Sequence, residues 1–191
     1  PTPQPEEDAM FRKFTKDENI KSHSKVKSSE QRAVRAQVLE QYPALEPFID
    51  DIFPKKEPLI VCKCKDYVQM VLDQQNEFIF FQCRSGPFIP TLRFLHKYPD
   101  ILPKYRVDRG AIRFVLSGAN IMSPGLTSAG GAMDDVPAES VVAIMAEGKE
   151  HALAIGVTTM STEEIRTNNK GIAVENTHYL KDGLWTLRSV E

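Results

Sequence analysis

Cysteine, tryptophan and long apolar runs are all scarce in this chain, which holds three cysteines and one tryptophan in 191 residues. Cys62, Cys64 and Cys83 are odd in number and lack the spacing of a disulfide framework, so a reducing, cytoplasmic setting is expected. No apolar run approaches the roughly 18 to 20 residues that cross a bilayer, and no signal-peptide pattern is present, so no membrane association is expected. Motifs of common chemistry are missing too. There is neither a G-x-x-x-x-G-K-[ST] loop nor a G-x-S-x-G elbow, and His23, His96, His151 and His178 are scattered. Cys62 and Cys64 have no second ligand pair with finger-like spacing, so they read as buried thiols rather than metal ligands. Asp134-Asp135 reads as a polar loop. No catalytic residue, cofactor or metal is expected.

Charge of one sign is also lacking overall: 24 Lys and Arg stand against 26 Asp and Glu, for a formal net charge of -2. That balance conceals local excess. Residues 11–35 carry eight basic and three acidic residues, and residues 93–113 carry six basic and two acidic. Patches of this kind can release counterions from a nucleic-acid backbone whatever the whole-chain charge. Arg12, Lys13, Lys16 and Lys97 are the candidate basic surface.

With 41% hydrophobic residues, the chain is long enough to bury a core in one or two domains. Residues 1–9, proline-rich and acidic, are expected to be a disordered tag or extension. A first α+β domain is expected over 10–97. It would hold a helix from Ser28 or Ser29 to Gln41 with Val34, Val38 and Tyr42 on one face, and a helical turn with Phe48, Ile49 and Ile52. Strands follow over 59–65, 67–72 and 77–83, with a hairpin loop at 73–76. Phe78, Phe80 and Phe81 are assigned to the core, with one of the last two partly exposed because successive strand residues face opposite ways. Thr91–Lys97 reads as a short helix before a connection at 98–104, and Trp185 is expected to anchor a terminal segment, 184–191, on the second domain.

The second domain, 105–183, is expected to be a small mixed β-barrel with strands over 141–146, 152–160 and 171–178. Ser161 and Glu164 have the spacing of a capping box, and 128–135 reads as an exposed excursion. Its opening stretch, Val107 to Ser128, carries the functional signal. Asp108 is placed to cap a helix that Gly118 would end in a left-handed conformation, with Ala111, Ile112, Val115 and Leu116 as a buried stripe. Arg109 and Arg113, four apart, would share another face. Gly118-Ala119-Asn120 offers little bulk, so a ligand could reach the main chain, and Pro124-Gly125 reads as the centre of a type II turn. Guanidinium groups beside open amides suit a phosphodiester chain.

The stretch V-D-R-G-A-I-R-F-V-L-S-G-A-N-I-M-S-P-G-L-T-S resembles the signature of a PUA domain, an RNA-binding module. Met10 to Phe14, Gly86 to Arg93, His96 to Pro99, Ala143 to Lys149, Asn169 to Ile172 and His178 to Trp185 together resemble the malignant-T-cell-amplified-sequence family of translation factors, in order and from Met10 onward. The resemblance implies RNA contact through Arg109, Arg113, Gly118, Ala119, Asn120, Pro124 and Gly125. It further implies a non-enzymatic factor, heterodimeric with density-regulated protein, that acts on the small ribosomal subunit in reinitiation and in post-termination recycling, with release of tRNA and mRNA. The RNA would be tRNA or ribosomal RNA. Many relatives carry cysteine where this chain has Ser123, which removes any thiol role there, and the loop 129–140 diverges. An RNA-modification accessory protein, or an interaction adaptor without RNA binding, are the alternative expectations.

Overall fold

The computed structural model describes residues 9–190. The expectation for the first nine residues therefore lies, except for Ala9, outside the described residues. A single helical turn α1 (Lys16–Asn19) leads into strand β1 (Ile20–Lys25), then α2 (Ser28–Gln41), a 3-10 turn and α3 (Ile49–Ile52). Strands β2 (Ile60–Cys64), β3 (Val68–Leu72), β4 (Phe78–Cys83) and β5 (Ile89–Pro90) follow, and helix α4 (Leu92–Lys97) starts on a Thr91 cap. The five strands form one antiparallel sheet in sequence order. β1 is absent from the sequence reading for a physical reason. It is an edge strand, I-K-S-H-S-K, with five exposed residues and no buried face, so it carries no alternation of polarity.

Strand β4 is covered on both faces. Phe80 meets Phe94 at 4.7 Å and stacks on Tyr42 at 5.9 Å, placing it under the helices, while Phe81 meets Phe11 at 4.8 Å and His178 at 6.2 Å on the opposite side. Both rings are 0% exposed, which corrects the expectation that one would reach solvent. The alternation rule holds, but the second face is sealed by the N-terminal segment and the second half of the chain.

That second half contributes β6 (Lys104–Val107), a 3-10 turn (Arg109–Ala111) running into α5 (Ile112–Val115), β7 (Ile121–Met122), α6 (Ser123–Thr127), β8 (Ala132–Met133), β9 (Val141–Ala146), β10 (Ala154–Thr158), α7 (Thr162–Asn168), β11 (Ile172–Tyr179) and α8 (Gly183–Leu187). Its strands make one sheet in the order β7-β11-β10-β9-β6-β8, mixed because β6 and β9 run parallel. The sheet curls into a half-barrel whose outer strands, β7 and β8, are two residues each and so expose little unpaired edge. The fold class is α+β, as the sequence implied. The excursion at 128–135 contains β8, and the capping box of Ser161 and Glu164 forms.

The two halves share a core. Ala143, Ala152, Ile155 and Leu184 belong to the same buried cluster as the helices and strands of the first sheet. Asp182 organises this junction. Its carboxylate accepts from the Tyr179 amide at 3.0 Å, the Trp185 amide at 2.9 Å and His178 Nδ1 at 2.7 Å, with both side chains almost wholly buried. A buried carboxylate is tolerated only with its lone pairs occupied, and three donors achieve that. Trp185 is placed against the first half, not on the half-barrel as expected: Arg93 of α4 lies 3.8 Å from its ring centroid and donates from Nη2 to its carbonyl at 2.9 Å. The chain end continues the same way, with Ser189 bridged to Glu77.

Two predictions follow from this packing. A Cβ on Gly183 would lie 2.3 Å from the Phe14 amide nitrogen, a contact backbone cannot relieve cheaply. Gly183→Ala is expected to cost about 2 to 3 kcal/mol, read as a lower urea midpoint at unchanged slope. Burial pushes the Cys62 thiol up to about 11, and burial together with Cys62 pushes Cys64 up to about 12. The thiolate is the reactive form, so iodoacetamide in mildly alkaline buffer should leave both cysteines unalkylated in the folded protein and modify both in urea, as mass spectrometry would show.

Candidate functional site

The stretch after β6 folds as a cap, a tight turn and a short helix. Asp108 Oδ1 accepts from the Ala111 amide at 3.0 Å, and Oδ2 accepts from the Ser128 hydroxyl at 2.6 Å, so the carboxylate is consumed in holding the helix start to the end of α6. Gly118 ends the helix with φ +92°, as expected. The buried stripe is narrower than its spacing suggested. Val115 is buried, Ala111 and Ile112 are half-buried, and Leu116 is 39% exposed, because so short a helix on the rim of a sheet directs about one residue per turn inward.

The two arginines have different neighbours. Arg109 lies in the 3-10 turn, with its guanidinium against Gly148 and its amide donating to Glu147 Oε2 at 3.2 Å, whereas Arg113 lies over the Phe114 ring at 4.7 Å. The tighter 3-10 winding carries Arg109 round the axis relative to an α-helical i, i+4 pair. Each guanidinium thus has its own contact, Gly148 for Arg109 and the Phe114 ring for Arg113. Neither guanidinium is in an ion pair among the described residues.

Gly118 and Ala119 do not present open backbone. Their amides donate to Val115 and Phe114 carbonyls at 3.0 Å, Ala119 is 0% exposed, and a Cβ on Gly118 would meet the Tyr179 ring at 3.0 Å. Asn176 locks this corner: its Nδ2 donates to the Val115 and Ala119 carbonyls, each at 3.1 Å, and its amide donates to Asn120 Oδ1 at 2.9 Å. Small residues sit here because Asn176 and the Tyr179 ring of β11 close on them. Pro124 and Gly125 are inside α6, not a type II turn, and Gly125 lacks the positive φ such a turn requires. Proline in a first helical turn loses no hydrogen bond, which explains the outcome.

What the elements do enclose is a groove of about 600 Å³ between α5, β7, α6 and the loop 169–171. Gly110, Ala111 and Phe114 form one wall, Met122, Pro124 and Gly125 another, and Asn120, Asn169 and Lys170 supply polar groups beside the hydrogen-bonded pair Asp108 and Ser128. Three of the expected residues, Asn120, Pro124 and Gly125, therefore meet in one place. Arg113 stands beside it through its stack on Phe114. Ser123 is wholly buried and staples the loop to α6: its amide donates to the Gly171 carbonyl at 3.0 Å and its hydroxyl to the Lys170 carbonyl at 3.2 Å. Lys170 and Phe114 were missed as site residues. The available signal was Asn169-Lys170-Gly171, a turn tripeptide carrying a cation, and indeed Asn169 and Gly171 both have positive φ.

The expected basic surface divides. Lys97 is ion-paired with Glu77 at 3.8 Å, Lys104 with Asp100 at 2.8 Å, and Arg106 Nε donates to the Gly130 carbonyl at 2.9 Å. Arg12 and Lys13 line a hollow with Lys65 and Arg84, and Lys16 is exposed on α1. Among the described residues no group of three or more His, Cys, Asp or Glu could hold a metal ion, and no helix is long and apolar enough to cross a membrane. The groove corner yields a stability prediction. Asn176→Ala takes a donor from each of two carbonyls, of which Val115's keeps the Gly118 amide, and should cost about 2 kcal/mol; Asn176→Asp, which sets a carboxylate against them, should cost more, and urea titration of the three proteins gives the order.

Comparison with known proteins agrees with this architecture. The Pre-PUA-like domain family matches residues 14–99 and the PUA domain family residues 103–180. A hypothetical protein from Pyrococcus horikoshii shares the fold with a TM-score of 0.70 at 21% identity, covering 88% of this chain and 100% of that one. A conserved PUA domain protein from Thermoplasma acidophilum does so with a TM-score of 0.62 at 21% identity, over 86% and 98%. The Malignant T-cell-amplified sequence 1 homolog of Drosophila melanogaster is 52% identical over 182 residues, 95% of this chain and all of that protein. Malignant T-cell-amplified sequence 2 of Homo sapiens is 48% identical over 180 residues, 94% and 99% of the two chains. With about half its residues identical over nearly the full length of such relatives, the chain belongs to the malignant T-cell-amplified sequence family.

Proposed function

We propose that this protein is a non-enzymatic RNA-binding translation factor whose PUA-domain groove holds structured RNA. The observation that carries the reading is the groove between α5 and α6, where an apolar wall around Phe114 and Met122 lies beside Asn120 and the cation Lys170, with Arg113 at the rim. An unstacked base or sugar fits the apolar wall, and the two cations, Lys170 and Arg113, meet its polar edges and phosphate oxygens. In this reading the protein acts on the small ribosomal subunit, in reinitiation and in post-termination recycling with release of tRNA and mRNA, as a heterodimer with density-regulated protein, in the cytoplasm. The RNA is tRNA or ribosomal RNA. Family membership and the PUA match support this role, and the groove supports the contact.

The test combines sedimentation with fluorescence. Purified small ribosomal subunits are centrifuged with the protein, with and without density-regulated protein, and tRNA binding is followed by anisotropy over a salt series. Arg113→Ala with Lys170→Ala is expected to weaken tRNA or subunit binding and to flatten its logarithmic salt slope by about one for each cation removed. Arg109→Ala, at a site outside the groove lining, should have the smaller effect. Capture of density-regulated protein without measurable affinity for tRNA or the subunit would leave an interaction adaptor in place of an RNA-binding factor.

A further inference from the structure

A second surface lies on the first sheet, at the end where the β2–β3 and β4–β5 turns meet. The Arg84 amide donates to the Tyr67 carbonyl at 2.8 Å, which binds the two turns together. Both residues have left-handed backbones, Tyr67 at φ +61° and Arg84 at φ +54°, and Asp66 joins them at φ +58°. Asparagine, aspartate or glycine suits such a position, and a bulky aromatic side chain is an outlier there. Burial does not account for the tyrosine. The residue is 73% exposed although the Arg84 guanidinium lies over its ring, 5.1 Å from the centroid. Cation on one face and water over most of the remainder leaves an aromatic face uncovered. Beside it runs an open groove of about 540 Å³ lined by Lys21, Lys63 and Arg84 against a single carboxylate, Asp66. Lys21 and Lys63 are exposed and in no ion pair among the described residues.

We propose that Tyr67 and Arg84 form a stacking platform for one unpaired base of an RNA strand whose phosphates run along Lys21 and Lys63. This rests on the RNA-binding reading of the protein and adds to it a site on the other domain. An aromatic ring backed by a guanidinium accepts any base face, and flanking lysines hold the backbone, so the site takes single-stranded RNA with little sequence preference. The uncovered aromatic face suits a flat base and serves no purpose for an acidic side chain, which is why a nucleotide chain is assigned rather than an acidic protein segment.

The experiment uses the whole protein, a fluorescein-labelled oligoadenylate about eight nucleotides long, within the span one small nucleic-acid-binding domain covers, and an abasic ribose-phosphate oligomer of equal length. Tyr67→Asn, chosen because asparagine accepts the left-handed backbone, should weaken oligoadenylate binding about tenfold and leave the abasic oligomer unchanged, while Tyr67→Trp should retain binding. Lys21→Ala with Lys63→Ala should weaken both oligomers and flatten the salt dependence. Unchanged oligoadenylate affinity in Tyr67→Asn overturns the platform, as does an equal loss for both oligomers, or displacement of oligoadenylate by polyglutamate as readily as by unlabelled oligoadenylate. The Arg113→Ala, Lys170→Ala protein, measured on the same oligomers and on tRNA, separates the two sites. A Tyr67 effect with tRNA binding untouched by the groove substitutions sinks the groove and keeps the platform, and the reverse sinks the platform alone.

Discussion

The burial of β4 on both faces is the constraint on which the rest of the arrangement depends. A strand with Phe80 on one side and Phe81 on the other, both excluded from solvent, cannot belong to a sheet with one wet face. The helices α2 to α4 cover the Phe80 side, so something must cover Phe81. Phe11 and His178 do, and they come from the N-terminal segment and from the last strand of the half-barrel. The second half of the chain is therefore a structural layer of the first. The junction does not depend on a linker: the proline-bounded connection at 98–104 itself sends Leu102 into the core.

Asp182 shows how that junction is specified and not merely packed. Hydrophobic contact alone tolerates sliding, whereas a buried carboxylate with three directed donors does not, since any shift that breaks one bond leaves charge uncompensated in an apolar surrounding. The same carboxylate caps α8, placing Trp185 where Arg93 and His96 close on it. One side chain thereby fixes the end of β11, the start of α8 and the approach of α4. Gly183, pressed against the Phe14 backbone, completes the contact on the N-terminal side.

Elements with a periodic apolar face were legible in the sequence, and elements without one were not. Helices α2 and α4, strands β2 to β4 and β9 to β11, the Asp108 cap and the Ser161–Glu164 box announce themselves by local chemistry, and the structure contains each of them. β1 is paired entirely through its backbone, which no side-chain pattern records. The site was legible only in part for a related reason. Small residues at Gly118 and Ala119 have two physical causes, ligand approach and tight packing, and only tertiary structure, here Tyr179 and Asn176, decides between them. Pro-Gly likewise serves a turn or a helix start. Lys170 gains its place from a loop folded back on α6 by Ser123, a contact spanning 47 residues.

The distribution of cations follows from the same tertiary contacts and bears on what the surface can bind. In the basic run from Arg93 to Arg113, Arg93 is stacked and hydrogen-bonded, Lys97 and Lys104 are ion-paired, and Arg106 is bound to a carbonyl. Each of those four has a partner within the protein that a polyanion would have to compete with. Among the cations left outward-facing, Arg113 and Lys170 lie about the groove, and Lys21, Lys63 and Arg84 lie beside Tyr67. At physiological salt a field decays over roughly 8 Å, so a ligand phosphate responds to the nearest two or three cations and hardly at all to the chain's total of -2. A net acidic protein can thus present sites that attract phosphate. At the two places described, apolar or aromatic surface lies within reach of the same cations, which is a condition for recognition and not only for attraction.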